Sequence, residues 1–183
     1  MADLTTLANA KQWLGITSSA DDALLTRLIS AASDYIQTWL NRTIASQAYS
    51  EVRDGPGGSR LMFSNYPVTA VASVKVDGIT VPQSTTVLVP GWVSSGTSLA
   101  MRGGWAFSSG LQNVEISYTA GFAIVPNEIE QAAIELVGLR YKDKDRIGVT
   151  SKTLAGETIS YSQKDFSDSV ETTLKNYKKV ISL

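Results

Sequence analysis

A chain of 183 residues with 16 Lys and Arg against 17 Asp and Glu is long enough to bury a core, as one domain or one domain with an insertion, without covalent staples. It holds neither cysteine nor histidine, which excludes a disulfide framework, a thiol nucleophile, and the commonest metal ligands and general base. Residues 1–139 carry 7 Lys and Arg against 11 Asp and Glu, a net −4, and residues 140–183 carry 9 against 6, a net +3; neither is the strong basic cluster of a nucleic-acid footprint.

The N-terminal stretch MADLTTLANAKQWLG lacks the charged-then-apolar pattern of a secretory signal, and no apolar run approaches the about 20 residues of a membrane span. Thr5 or Thr6 is placed to cap a short first helix bearing Leu7, Ala10, Trp13 and Leu14, with Gly15 as its stop. A polar linker then leads to the central helix, predicted over residues 19–42. With Ala32 at zero and about 100° per residue, Leu24, Leu25, Leu28, Ala31, Tyr35, Ile36, Trp39 and Leu40 fall on one half of the wheel. Thr26, Arg27, Ser30, Ser33, Asp34, Gln37, Thr38 and Asn41 fill the other. Ser18 or Ser19 is expected to cap this helix, with Asp21 and Asp22 in a first turn that favours negative charge. Leu25, Leu28, Ala32, Tyr35, Ile36 and Trp39 are its expected core positions, joined by Ile129 and Leu136 from a later helix.

Beyond Arg42 the pattern changes to short strands between turns, predicted at 47–53, 60–63, 71–76, 79–81, 85–89, 98–102 and 112–119. Asp77-Gly78 between valine-rich strands is the strongest short hairpin signal, and Gly55–Gly58 reads as a second hairpin turn. At Gly121 helical logic resumes. Pro126 or Asn127 opens a helix to about residue 145, with Ile129, Ala132, Ala133, Leu136 and Val137 on one face. Arg140 lies in line with that face, so its charged end must reach out or find a partner. A hairpin follows over 149–163 around Ala155-Gly156-Glu157. Asp168 to Glu171 then has capping-box spacing ahead of Val170, Leu174, Tyr177 and Ile181. The fold class read from this order is α+β: a small bundle of about four helices (1–46 and 121–183) with an inserted antiparallel β module (47–120), sandwich or barrel-like, and a late hairpin.

Motifs that could carry chemistry have plainer explanations. Gly55–Gly58 lacks the Lys-Ser/Thr ending of a phosphate loop. Asp21-Asp22 reads as helix capping before paired carboxylates, and Asp143 and Asp145, alternating with Lys142, Lys144 and Arg146, as a solvated helix end. Trp92 and Trp105, near Gly91 and Gly103-Gly104, could form a stacking platform for sugars or bases, although aromatics at such positions more often belong to a core or interface. No catalytic, metal or cofactor-binding residues are expected.

Several stretches nevertheless align, in order, with one family. They are L-x-x-A-K-Q-W-L (Leu7 to Leu14), D-D-A-L-L-x-R-L-I-x-A-A-S-D-Y-I closing on W-L-N-R (Asp21 to Arg42), and R-D-G (Arg53 to Gly55). Y-P-V (Tyr66 to Val68), V-x-S-V-x-V-D-G (Val71 to Gly78) and Y-T-A-G-F (Tyr118 to Phe122) come next. V-P-N-E-I (Val125 to Ile129), L-R-Y-K-x-K-D-R-I-G (Leu139 to Gly148) and S-Y-S-Q (Ser160 to Gln163) complete the set. On these residues the chain resembles the head–tail connector (adaptor) proteins of tailed double-stranded DNA bacteriophages. It departs at Lys144, where related proteins often show Tyr-x-x-Arg, and a lysine cannot make the bidentate pairing of a guanidinium.

The resemblance implies a structural virion protein without catalysis or cofactor. It implies a ring of copies, a dodecamer, at the neck beneath the portal, assembled in the bacterial cytoplasm. The ring would present a platform for a stopper or tail-completion protein and surround the channel through which genomic DNA leaves, with no sequence-specific binding and no membrane. Another neck component, or less readily a β-sandwich carbohydrate-binding module, is the alternative, and a carboxylate hydrolase is the remotest. A ring needs two unlike side surfaces per subunit. Arg27, Asp34 and Thr38, on the polar half of the central helix, are the expected subunit contacts. Tyr161, Phe166, Lys175, Tyr177, Lys178 and Lys179 are the expected portal contacts, the aromatics as anchors and the lysines as steering charges. The competing expectation is that the last helix completes the bundle.

Overall fold

The computed structural model describes residues 2–144, 151–154, 157–160 and 166–179. Contacts divide the chain into two compact units, Met1–Ile44 with Val125–Leu183, and Ala45–Ile124.

The first unit is helical. Its helices are α1 (Leu7–Leu14), α2 (Asp22–Leu40), α3 (Asn127–Asp143) and α4 (Asp168–Lys175). Thr6 caps α1, its Oγ1 accepting from Asn9 N at 3.2 Å, and Gly15 ends it in the left-handed conformation at φ 69°. α2 closes in the same way with Asn41 at φ 54°, so it stops two residues short of Arg42. Its start differs from expectation. Asp21 occupies the cap position without a side-chain cap bond, because its carboxylate is turned to α3 instead. A strand pair, Ser151–Leu154 with Glu157–Ser160, runs antiparallel in the expected place, while Ala155 and Gly156 between them lie outside the described residues.

α2 packs against α1 and α3, and its buried stripe is Leu25, Ile29, Ala32, Ser33, Ile36, Gln37 and Leu40. That stripe is rotated from the predicted one. Ser33 and Gln37 are buried although polar, because the N-terminal segment lies over them. Ser33 Oγ accepts from Leu4 N at 2.9 Å, and the Gln37 amide donates to Ala2 O at 3.1 Å while accepting from Ile44 N at 3.3 Å. Leu28, Tyr35 and Trp39 are half-buried flank positions where core was expected, and Ala31 is exposed. Leu25, Ala32, Ile36, Ile129 and Leu136 are fully buried. Arg140 finds its partner in Tyr35, its guanidinium 5.1 Å from the ring centroid.

The second unit holds seven strands: β1 (Gln47–Gly55), β2 (Arg60–Met62), β3 (Val68–Val76), β4 (Ile79–Thr80), β5 (Gly91–Ser94), β6 (Ser98–Arg102) and β7 (Gly110–Ala120). They form two antiparallel sheets, ordered β1-β7-β3-β4 and β2-β6-β5. Val74, Val76, Val114, Ile116 and Tyr118 of the larger sheet share one core with Leu61, Trp92, Leu99 and Met101 of the smaller, closed by Phe63, Val81 and Phe107. This is a sandwich of two separate sheets, and the barrel alternative is set aside. Asp77 (φ 52°) and Gly78 (φ 78°) make the β3–β4 hairpin as predicted. The Gly55–Gly58 turn is a correction: β1 and β2 belong to different sheets, so it carries the chain across the sandwich. Residues 85–89, predicted as a strand, form a loop, and β5, unpredicted, pairs with β6 in their place. The β-branched composition of Thr85 to Val89 is a local signal with no neighbouring strand to satisfy it.

One polar group penetrates the sandwich. Tyr118 stacks on Tyr49 and meets Phe63 at a tilt of 47°, and its hydroxyl donates to Glu51 Oε1 at 2.6 Å while accepting from Asn65 N at 3.2 Å. Burial, and then the hydrogen bond to Glu51, push the phenol up to about 12. A folded pKa above the unfolded value of about 10 means that the folded chain holds its proton where the unfolded chain has lost it. The stabilisation is complete below pH 10 and is lost as pH rises towards 12. Tyr118→Phe should cost about 1.5–3 kcal/mol at pH 7, the range for a lost hydrogen bond to a charged group, and should flatten that alkaline decline in urea titrations.

Candidate assembly surfaces

The tail of the first unit is where portal contacts were expected, and Phe166, Tyr177 and Lys178 make contacts within the bundle there. Ser167, one residue before the expected Asp168, caps α4, its Oγ accepting from Val170 N at 3.3 Å. This orients Leu174 into the bundle, where it is fully buried as α4 packs against α3. Phe166 lies 5.5 Å from the Tyr35 ring and 6.1 Å from that of Trp39. Past the helix, the Tyr177 hydroxyl donates to Glu128 Oε2 at 2.9 Å, and the hydrogen bond holds the phenol above its ordinary pKa. Lys178 Nζ stands 4.5 Å over Trp39, and Lys179 N donates to Leu40 O at 2.9 Å. Lys175 is more than half exposed and pairs with Glu171 at 3.1 Å, and Lys178 is exposed as well. α4 therefore completes the bundle. Tyr161 and Ile181 lie outside the described residues.

Arg27, Asp34 and Thr38 are exposed along the outer side of α2. At its N-terminal end, Asp21 Oδ2 accepts from the Tyr141 hydroxyl at 2.5 Å, and Lys144 Nζ stands 3.9 Å from Asp21 Oδ1. Asp22 pairs with Lys11 of α1 at 2.7 Å. The two neighbouring aspartates thus serve different helices, α1 and α3, a tertiary use that the capping expectation missed. Lys144 also sits 4.5 Å over the Tyr141 ring, making a point-charge contact where an arginine would make a fork.

Two features escaped sequence reasoning. A hollow of about 410 Å³ opens between α1 and α3, lined by Asn9, Gln12, Asn127, Gln131 and Trp13, which is 58% exposed. In the sandwich, Val87 and Leu88 are 82% and 92% exposed at the tip of the 85–89 loop. Trp92, by contrast, is buried in the sandwich core, and Trp105 packs against it, so the sugar-stacking platform is not formed. Among the described residues no helix is long and apolar enough to cross a membrane.

The family model described as "head completion protein" covers residues 3–180. The chain belongs to that family. No curated protein matches the sequence. Among solved structures, this member of the head completion family resembles a chain in the neck of an empty GTA particle computed with C6 symmetry, at 20% identity and a TM-score of 0.62, over 98% of this chain and 92% of that one. It also resembles chains in the neck of a native GTA particle computed with C12 symmetry and in the virion of a native gene transfer agent particle. Both are 18% identical with a TM-score of 0.59, over 100% of this chain and 96% of theirs. Both units are spanned in each case, so the β module is part of the shared fold.

Proposed function

We propose that this head completion protein is a connector of the phage neck, forming a homo-oligomeric ring, a dodecamer, beneath the portal and joining the DNA-filled head to the tail. The observation that carries the reading is the family match across residues 3–180. Whole-length likeness to chains in symmetric neck particles supports it. The function is mechanical: each copy contributes two unlike side surfaces to close the ring, one face to the portal, and one to a stopper or tail-completion protein, around a channel that DNA traverses. Catalysis and cofactors play no part in it, and assembly takes place in the bacterial cytoplasm. The near-neutral charge balance gives little support for tight phosphate binding, which suits a conduit that must release DNA.

Arg27, Asp34 and Thr38 are proposed as one side surface. Arg27→Glu should change the melting temperature little and lower ring yield on the portal; unchanged yield removes α2 from the interface. The class itself is tested by mass measurement and negative-stain microscopy of the protein with and without portal. A ring bound to the portal is expected, and monomers in the presence of portal overturn the reading.

A further inference from the structure

Two parts of the sandwich are each incomplete alone. β1 is a nine-residue strand at the edge of its sheet, paired on one side with β7 and, among the described residues, with no strand on the other. Its outer row of backbone donors and acceptors is a template for a further strand. The 85–89 loop is the complement. Thr85, Thr86, Val87, Leu88 and Val89 include four β-branched residues, the composition of a strand, yet they are held in a turn closed by Val89 N donating to Thr86 O at 3.2 Å. Valine and leucine at a turn tip oppose the usual preference for Gly, Asn, Asp or Pro, and three consecutive apolar side chains lie exposed. The base is fixed. Ser84 N donates to Trp92 O at 2.8 Å, and Trp92 N to Pro82 O at 2.9 Å, so opening the tip leaves the sandwich intact.

We propose that, in the ring, the 85–89 segment of one copy straightens and adds as a strand to the β1 edge of the next copy. The proposal rests on the ring reading above. The occupant is a second copy because a ring contact needs two unlike, complementary surfaces on the same chain, and this chain carries both a spare strand and an open edge. Opening the tip gives up the Val89–Thr86 backbone bond and the Ser84 Oγ–Thr86 O bond at 2.9 Å, whereas strand addition forms several and covers Val87 and Leu88.

The absence of native cysteine makes the test clean. Ser50→Cys, on β1, and Leu88→Cys are made in separate chains, mixed, assembled on portal and treated with a short bismaleimide. Each chain holds one thiol, so any S50C–L88C product joins two copies. The expected result is a mixed dimer band in assembled rings that is absent before assembly. Rings without that band overturn the strand addition and leave the ring reading standing, whereas no rings with any chain, wild type included, overturns both. Val87→Pro supplies the second measurement. Val87 is the second residue of the turn and has negative φ, a position that proline favours, so the isolated chain should fold with an unchanged melting temperature. The variant lacks a donor and is locked in the turn, and its yield of mixed dimer should fall at least about tenfold, the weight of roughly one net hydrogen bond. An undiminished yield also overturns the proposal.

Discussion

Gly91→Ala should cost about 3 kcal/mol or more and remove most of the stability of the β module. Gly91 opens β5 at φ 150°, a conformation that an L side chain rarely adopts, and holding a non-glycine residue in such a region costs about 1–3 kcal/mol. Space adds a second penalty. A Cβ there would overlap the Pro82 carbonyl oxygen and lie 3.0 Å from Ser84 N, so backbone must move, at about 1–3 kcal/mol for overpacking. The movement has nowhere to go, because Trp92 N donates to Pro82 O at 2.9 Å and the next side chain, Trp92, sits in the core. Urea unfolding followed by tryptophan fluorescence would show the loss. Gly96→Ala, with no atom near its Cβ position and no positive φ, should lie within about 0.5 kcal/mol of wild type.

Leu174→Ala should lower stability by about 2–5 kcal/mol, the range for emptying a buried leucine site. α4 has only eight residues, too short to hold helical form without packing, so the loss of Leu174 also loosens Phe166 against Tyr35 and Trp39 and the Tyr177–Glu128 bond. This bears on portal docking. Deleting residues 165–183 would lower the melting temperature together with any portal affinity, and would not separate the two roles. Lys175→Glu separates them: it exchanges an exposed ion pair worth less than about 1 kcal/mol, so folding should be nearly unchanged. Portal affinity falling severalfold in this variant supports α4 as a docking element as well as a bundle helix. Unchanged affinity leaves α4 purely structural.

The expected contact residues show where one-dimensional reading stops. Tyr177 looks like a surface anchor and Lys178 like a steering charge because their partners, Glu128 and Trp39, are more than 45 residues away in sequence and no local spacing reveals them. Ser33 and Gln37 look like solvent-facing residues for the same reason: the backbone that needs their side chains, at Ala2, Leu4 and Ile44, is brought over α2 by the fold. A buried polar group with satisfied bonds is invisible to hydrophobic periodicity, which counts only apolar positions. The exposed tip at Val87 and Leu88 misleads in the opposite sense, since its strand-like composition carries no information about whether a neighbour is present.

By itself the sequence determined the element order, the boundaries of most helices and strands, the Asp77-Gly78 hairpin, the α+β class and the resemblance to phage connectors. These depend on local periodicity, turn chemistry and capping, whose partners lie within a few residues along the chain. Only the tertiary structure decided that the module is a sandwich, which side of α2 is buried, that α4 belongs to the bundle, and that Asp21 and Asp22 tie α2 to two different helices. Each of those outcomes depends on groups distant in sequence meeting in space, and a strand or helix face has no inside until its neighbour arrives.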